Sequence, residues 1–147
     1  MSVPQSHRRV WLIDNRVVER PNMSADLYRG LPAQIIDDIE TGWATAREVA
    51  AQTAMAAGLN PLEHEHWNWR NKVESVEDGR HLLVAVECEG EWQGLMAVAR
   101  LPRSGRLGGG WVVYVDYLET APWNLKSAAV SPRFKAVGMA LLADASA

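Results

Sequence analysis

Cysteine occurs once in the 147 residues, at Cys88, so no disulfide can form within the chain. A reducing cytoplasm is the natural expectation for such usage. Long apolar runs are missing too. No stretch approaches the roughly 20 residues of a membrane-spanning helix, and the basic opening MSVPQSHRRVWLIDNRVVERP lacks the unbroken apolar core of a signal peptide. Nor is there a basic excess: Lys and Arg number 15 against 18 Asp and Glu, for a net charge of −3. That balance argues against nucleic acid or an anionic membrane as a partner, since neutralised phosphates supply most non-specific affinity. Repeats and low-complexity tracts are absent. What remains is one soluble domain over residues 1–147, with an ordinary 48% of apolar residues. A chain of this length buries roughly 68% of its extended surface and needs neither disulfide nor metal to fold.

Within that domain, Val10 to Ile13 is a short apolar run that reads as a strand. Arg16 to Leu31 is mixed in composition and reads as loop, with room for a helical turn from Ser24. Pro32 suits the first position of a helix. Ile36, Ile39, Trp43, Ala46, Ala50, Ala54 and Ala57 follow at steps of three and four, and Gly58 suits the left-handed residue after the helix. Asn60, Pro61 and Glu63 announce a second helix carrying Leu62, His66, Trp69, Val73 and Val76, which Gly79 ends. The period then becomes extended. HLLVAVEC, a tight turn at Gly90 and WQGLMAVAR form an expected hairpin. The glycine-rich LPRSGRLGGG is a loop, and WVVYVDYLET is a further strand ended by Pro122. From Arg133 a last helix is expected, with Val137, Ala140, Leu141 and Ala145 inward. The fold class is therefore α/β, an antiparallel sheet flanked by helices.

A strand, a loop and a helix start together make an anion site. The first N–H groups of a helix lack partners and the helix dipole favours negative charge there. Arg133 and Lys135 add positive charge, and Gly138 permits close approach. At this point the chain resembles the GNAT superfamily of N-acetyltransferases, whose members carry Arg/Gln-x-x-Gly-x-Gly/Ala at the start of the helix after the fourth strand. The matching run is Arg133, Phe134, Lys135, Ala136, Val137, Gly138, with Met139 next. The family's strand ending Leu-x-Val-x-Pro is matched by Leu118, Glu119, Thr120, Ala121, Pro122. Ala136 stands where the family has its first motif glycine, and the connection from Pro122 to Arg133 is longer than the family's.

The resemblance implies an acyl-CoA N-acyltransferase fold and an acetyl-CoA-dependent N-acetyltransferase. Leu118 to Thr120 would hold the pantetheine arm, and Phe134 to Met139 the diphosphate. Strands after the last helix are expected to be missing, so that the coenzyme cleft has one wall. The acceptor would be a primary amine, on a small molecule or a protein. Glu119 is the favoured general base over Asp116, which regular alternation turns to the other face. Tyr117, on the face of Glu119, would protonate the leaving thiolate. The alternative is an inactive interaction or scaffold protein that pairs through the exposed edge of its last strand, as in a homodimer completing the sheet.

Other residue types carry blander readings. His64 and His66 lie two apart on an expected helix and face apart, too few for zinc. His81 opens a strand with no evident partner, and Cys88 reads as packing. Arg103 to Gly110 reads as a mobile connection before an anion loop. Among the tryptophans, Trp43 and Trp69 sit on apolar helix faces and Trp92 and Trp111 begin strands, so core packing explains most of them, and Trp67 and Trp123 are the better surface candidates. An acceptor pocket would draw on the first half, where Tyr28, Trp43 and His66 give no decisive signature.

Overall fold

The computed structural model describes residues 7–19, 21–58, 68–74, 81–102, 111–124 and 133–145. In chain order these form strands β1 (Arg8–Asp14) and β2 (Asn22–Arg29), helices α1 (Ala33–Ala56) and α2 (Trp69–Glu74), and strands β3 (His81–Cys88), β4 (Glu91–Pro102) and β5 (Trp111–Thr120). A 3-10 turn (Pro122–Asn124), the two-residue strand β6 (Phe134–Lys135) and helix α3 (Val137–Ala145) follow. The six strands make one antiparallel sheet in the order β5-β4-β3-β2-β1-β6. The fold is mixed α/β.

Strand alternation divides the core in two. Val10, Leu12, Ala25, Leu27, Val84, Val86, Met96 and Val98 face α3, which lays Val137 and Leu141 on them. Leu83, Ala85, Leu95 and Ala97 face the other way, under Ile36, Ile39 and Trp43 of α1 and Trp69 of α2. α1 begins one residue after Pro32, its N-cap, and ends before Gly58, whose φ of 72° is the left-handed turn expected there. The β3–β4 turn uses Glu89 and Gly90 at φ 55° and 78°. Two positive φ values are what a two-residue hairpin loop of the favoured hand requires.

The structure corrects four expectations. The stretch read as loop after Arg16 contains β2. Its inward residues include Ala25 and Leu27, and its outward ones are Asn22, Ser24 and Asp26, whose low strand propensity hid the alternation. Arg133 does not begin a helix, because Phe134 and Lys135 pair with Asp14 and Ile13 at the edge of β1. The last helix starts at Val137 instead. Regular alternation also fails in β5. Ala97 pairs with Tyr117 and Val98 with Val115, leaving Asp116 as an extra, bulged residue. Finally, the helix expected from Asn60 to Gly79 does not run through Asn68, whose Oδ1 accepts the N–H of Arg70 at the start of α2; Leu62, His64, His66 and Trp67 lie outside the described residues, as does the loop 103–110.

Gly94 fixes how closely α3 approaches. A Cβ there would stand 2.5 Å from Val137 Cγ1 and 3.0 Å from Leu141 Cδ1. Gly94→Val should therefore destabilise the protein by at least the roughly 1–3 kcal/mol of an overpacked core. Urea unfolding checks this, and an unchanged midpoint would show that α3 does not rest on Gly94.

Candidate functional site

The route from β5 to α3 is held by polar side chains on a second bulge. Val86 pairs with Gly94 and Glu87 with Trp92, so Gln93 is the extra residue of β4 and its side chain turns inward, fully buried. Gln93 Nε2 donates to the carbonyls of Cys88 (3.1 Å) and Glu91 (3.2 Å). Its Oε1 accepts from Trp123 Nε1 (2.8 Å) and Asn124 Nδ2 (2.9 Å). Asn124 Oδ1 in turn accepts the N–H of Phe134 at 2.9 Å. This chain of bonds delivers the backbone to the start of α3 beside the end of β5.

Ala136, the last residue before α3, has a φ of 70°. Its carbonyl accepts from the N–H of Ala140 at 3.0 Å, so the amides of Val137, Gly138 and Met139 precede the first intrahelical bond. A Cβ placed on Gly138 would lie 3.9 Å from Leu118 Cδ2. The structure thus brings the strand end and the helix start together. It does not keep all the expected diphosphate ligands with them. Phe134 is buried and its amide is taken by Asn124, while Lys135 sits in the β1 ladder. Arg133 Nη1 pairs with Glu91 Oε1 at 3.0 Å, and its guanidinium stacks over Trp123. Val137 contributes its side chain to the core and Met139 is exposed. Thr120 pairs with Gly94 at the end of β5.

Glu119 occupies a different setting from the one expected of a base. It is 1% exposed, and Oε1 accepts from Arg47 Nη2 (2.7 Å) and Trp69 Nε1 (2.6 Å), Oε2 from Arg47 Nε (3.1 Å). Arg47 Nη1 also donates to both oxygens of Glu40, at 3.0 and 2.8 Å, and Glu40 Oε1 accepts the N–H of Trp69 at 2.7 Å. Burial works against the charge on Arg47, but the hydrogen bonds and charges of Glu119 and Glu40 outweigh it and hold the guanidinium above its ordinary pKa. Oε1 of Glu119 thus accepts two bonds and Oε2 one. Tyr117 lies on the same side, edge-on to Trp69 (centroids 6.3 Å) with Lys72 Nζ 4.1 Å above its ring.

Several residues here escaped the sequence reading. Glu40 and Arg47 share the buried face of α1 with Trp43, and two opposite charges inside an apolar stripe were the available signal. His81 has a partner after all: its Nε2 lies 2.6 Å from Oδ2 of the bulged Asp116. Trp123 is half-buried through its bond to Gln93. Cys88 is buried, and desolvation above all pushes its thiol up to about 11. Among the described residues, no group of three or more His, Cys, Asp or Glu is placed to hold a metal, and no helix is long and apolar enough to cross a membrane.

Comparisons with protein-family models, with curated proteins and with solved structures find no match to this chain.

Two outcomes follow from this geometry. Arg47→Met strands two buried carboxylates and should cost about 3–5 kcal/mol in denaturant unfolding; a loss below about 1 kcal/mol would mean that the cluster is hydrated in solution. At pH 8 the raised thiol pKa should make alkylation of Cys88 about a hundredfold slower in native protein than in urea. Equal rates would place the thiol at the surface.

Proposed function

We propose that this chain is a GNAT-like acetyltransferase domain. The start of α3 receives the diphosphate of acetyl-CoA, the edge of β5 receives its pantetheine arm, and the acetyl group passes to a primary amine. The observation that carries the reading is Ala136, at φ 70° immediately before α3, whose Gly138 lies beside Leu118. An L-residue in the left-handed region costs about 1–2 kcal/mol. Such conformations persist where the surroundings over-determine them, and they cluster at binding sites. This one falls where the family's motif has glycine, and it turns the chain out of β6 so that three amides stand at the helix start.

Two further features support the reading. β5 lies at the sheet edge, so among the described residues its outer row of N–H and C=O groups has no strand partner. The two amides of a pantetheine arm can be held as an added strand is held. The layers also agree with the expected order, with two helices ahead of the central strands on one face of the sheet and the motif helix on the other. Transfer proceeds by attack of a neutral amine on the thioester carbonyl. In this reading Glu119, whose oxygens are held by Arg47 and Trp69, anchors the end of β5 instead of serving as the base.

One observation favours a second reading, an interaction protein. Val113, Tyr114 and Val115 are exposed along the same free edge, and such edges pair with other chains. A second copy adding its own β5 would form a dimer and occupy the pantetheine position.

Calorimetry with acetyl-CoA separates the two. The coenzyme reading expects micromolar binding to a monomer. Gly138→Val has space to fold, yet its side chain would stand over the amides, so it should weaken binding at least about tenfold, some 1.4 kcal/mol. No heat at millimolar coenzyme, with a dimer in light scattering, would favour the interaction protein.

A further inference from the structure

The bulge in β5 creates a pair of titratable groups beside the proposed thioester position. Skipping Asp116 in the ladder turns Tyr117 toward α2, opposite Ala97. Asp116 meets His81, whose strand neighbour on β4 is Ala99. Ala97 and Ala99 are small, so the imidazole on β3 reaches across β4 to the carboxylate on β5. The Asp116 side chain is 41% exposed and that of His81 13%. The carboxylate is therefore open to solvent, and the imidazole beside it is largely covered. Among the described residues, the other charged or titratable groups on this side are Tyr117 with Lys72 above it, the exposed Tyr114, the Arg70–Asp37 pair of α2 and α1, and the set of Arg47, Glu40 and Glu119 farther along. If Leu118 to Thr120 hold the pantetheine arm, Asp116 lies two residues back along the strand, about 6.5 Å from Leu118. The thioester then reaches the bulge.

Resting on the acetyltransferase reading, we propose that Asp116 is the general base of the transfer and that His81 is the residue that positions it. The ammonium of the acceptor gives one proton to Asp116. The neutral nitrogen attacks the thioester carbon, forming the C–N bond as the carbonyl electron pair moves to oxygen. When that pair returns, the C–S bond breaks. The second proton lost by nitrogen goes to the leaving thiolate, and the first passes from the exposed Asp116 carboxylate to water. The products are the amide, the free thiol of coenzyme A and one proton.

The test joins calorimetry with acetyl-CoA to thiol release from acetyl-CoA, using benzylamine and a trilysine peptide as amine probes from pH 6 to 10. The wild type should bind coenzyme and release thiol. Asp116→Asn should bind with unchanged Kd but lose at least about a hundredfold in kcat, the usual contribution of a general base. His81→Ala should lose less, and His81→Gln, which still offers an N–H to Asp116, should regain part of a loss that a merely space-filling role would leave unrestored. Unchanged Kd in all three variants confirms an intact fold. Asp116→Asn at the wild-type rate across pH, or wild-type protein that binds coenzyme yet releases no thiol with either amine, would overturn the proposal while sparing the binding reading. No coenzyme binding at millimolar concentration would overturn the binding reading, and this role with it.

Discussion

One buried guanidinium holds three elements together. Arg47 of α1 sits between Glu40 of its own helix and Glu119 at the end of β5, and Trp69 of α2 donates to both carboxylates. Isolated, any of these charges would be costly to bury; together, with hydrogen bonds on each of their groups, they tolerate it. Such a cluster discriminates among arrangements more than it adds net stability, because a shifted α1 or a slipped β5 leaves a buried charge unpaired. The end of β5, where the proposed coenzyme site lies, is thereby fixed relative to both helices on that face. The same bonds fix the Glu119 carboxylate in place.

The opposite face has a related rivet. Asp144, 2% exposed near the end of α3, accepts from Arg29 at 2.9 Å on each oxygen, with Arg8 3.4 Å away. That pair secures the far end of α3 over β1 and β2. Close approach at Gly94 and the Gln93–Asn124 bonds secure its start. The two faces meet at the end of β5, where Leu118 lies against Gly138. The strained Ala136 needs such support, since nothing local favours its conformation.

How much of this could be read from residues alone varies with the kind of interaction. The stripe of α1, the hairpin at Gly90 and the strand of Trp111–Thr120 follow from periodicity and turn chemistry, which are local. β2 was hidden because its inward positions include alanine and its outward ones resist strand propensity. β6 could not be read, as two residues carry no period and depend on an edge of β1 about 120 positions earlier. The motif run was visible, but its first four residues are not helical, which only the pairing of Phe134 with Asp14 and the positive φ of Ala136 reveal. Bulges were invisible, and with them the inward turn of Gln93 and the meeting of Asp116 with His81. Glu119 looked like a strand-end acid until its partner on α1, 72 positions away, supplied the other half.

Amide-resolved NMR during titration with coenzyme A tests the central claim most directly. The account predicts shifts concentrated at the amides of Val137, Gly138, Met139 and at Leu118 to Thr120, while the indole N–H of Trp69 stays where its bond to Glu119 holds it. Saturable shifts elsewhere with those amides unmoved would contradict it.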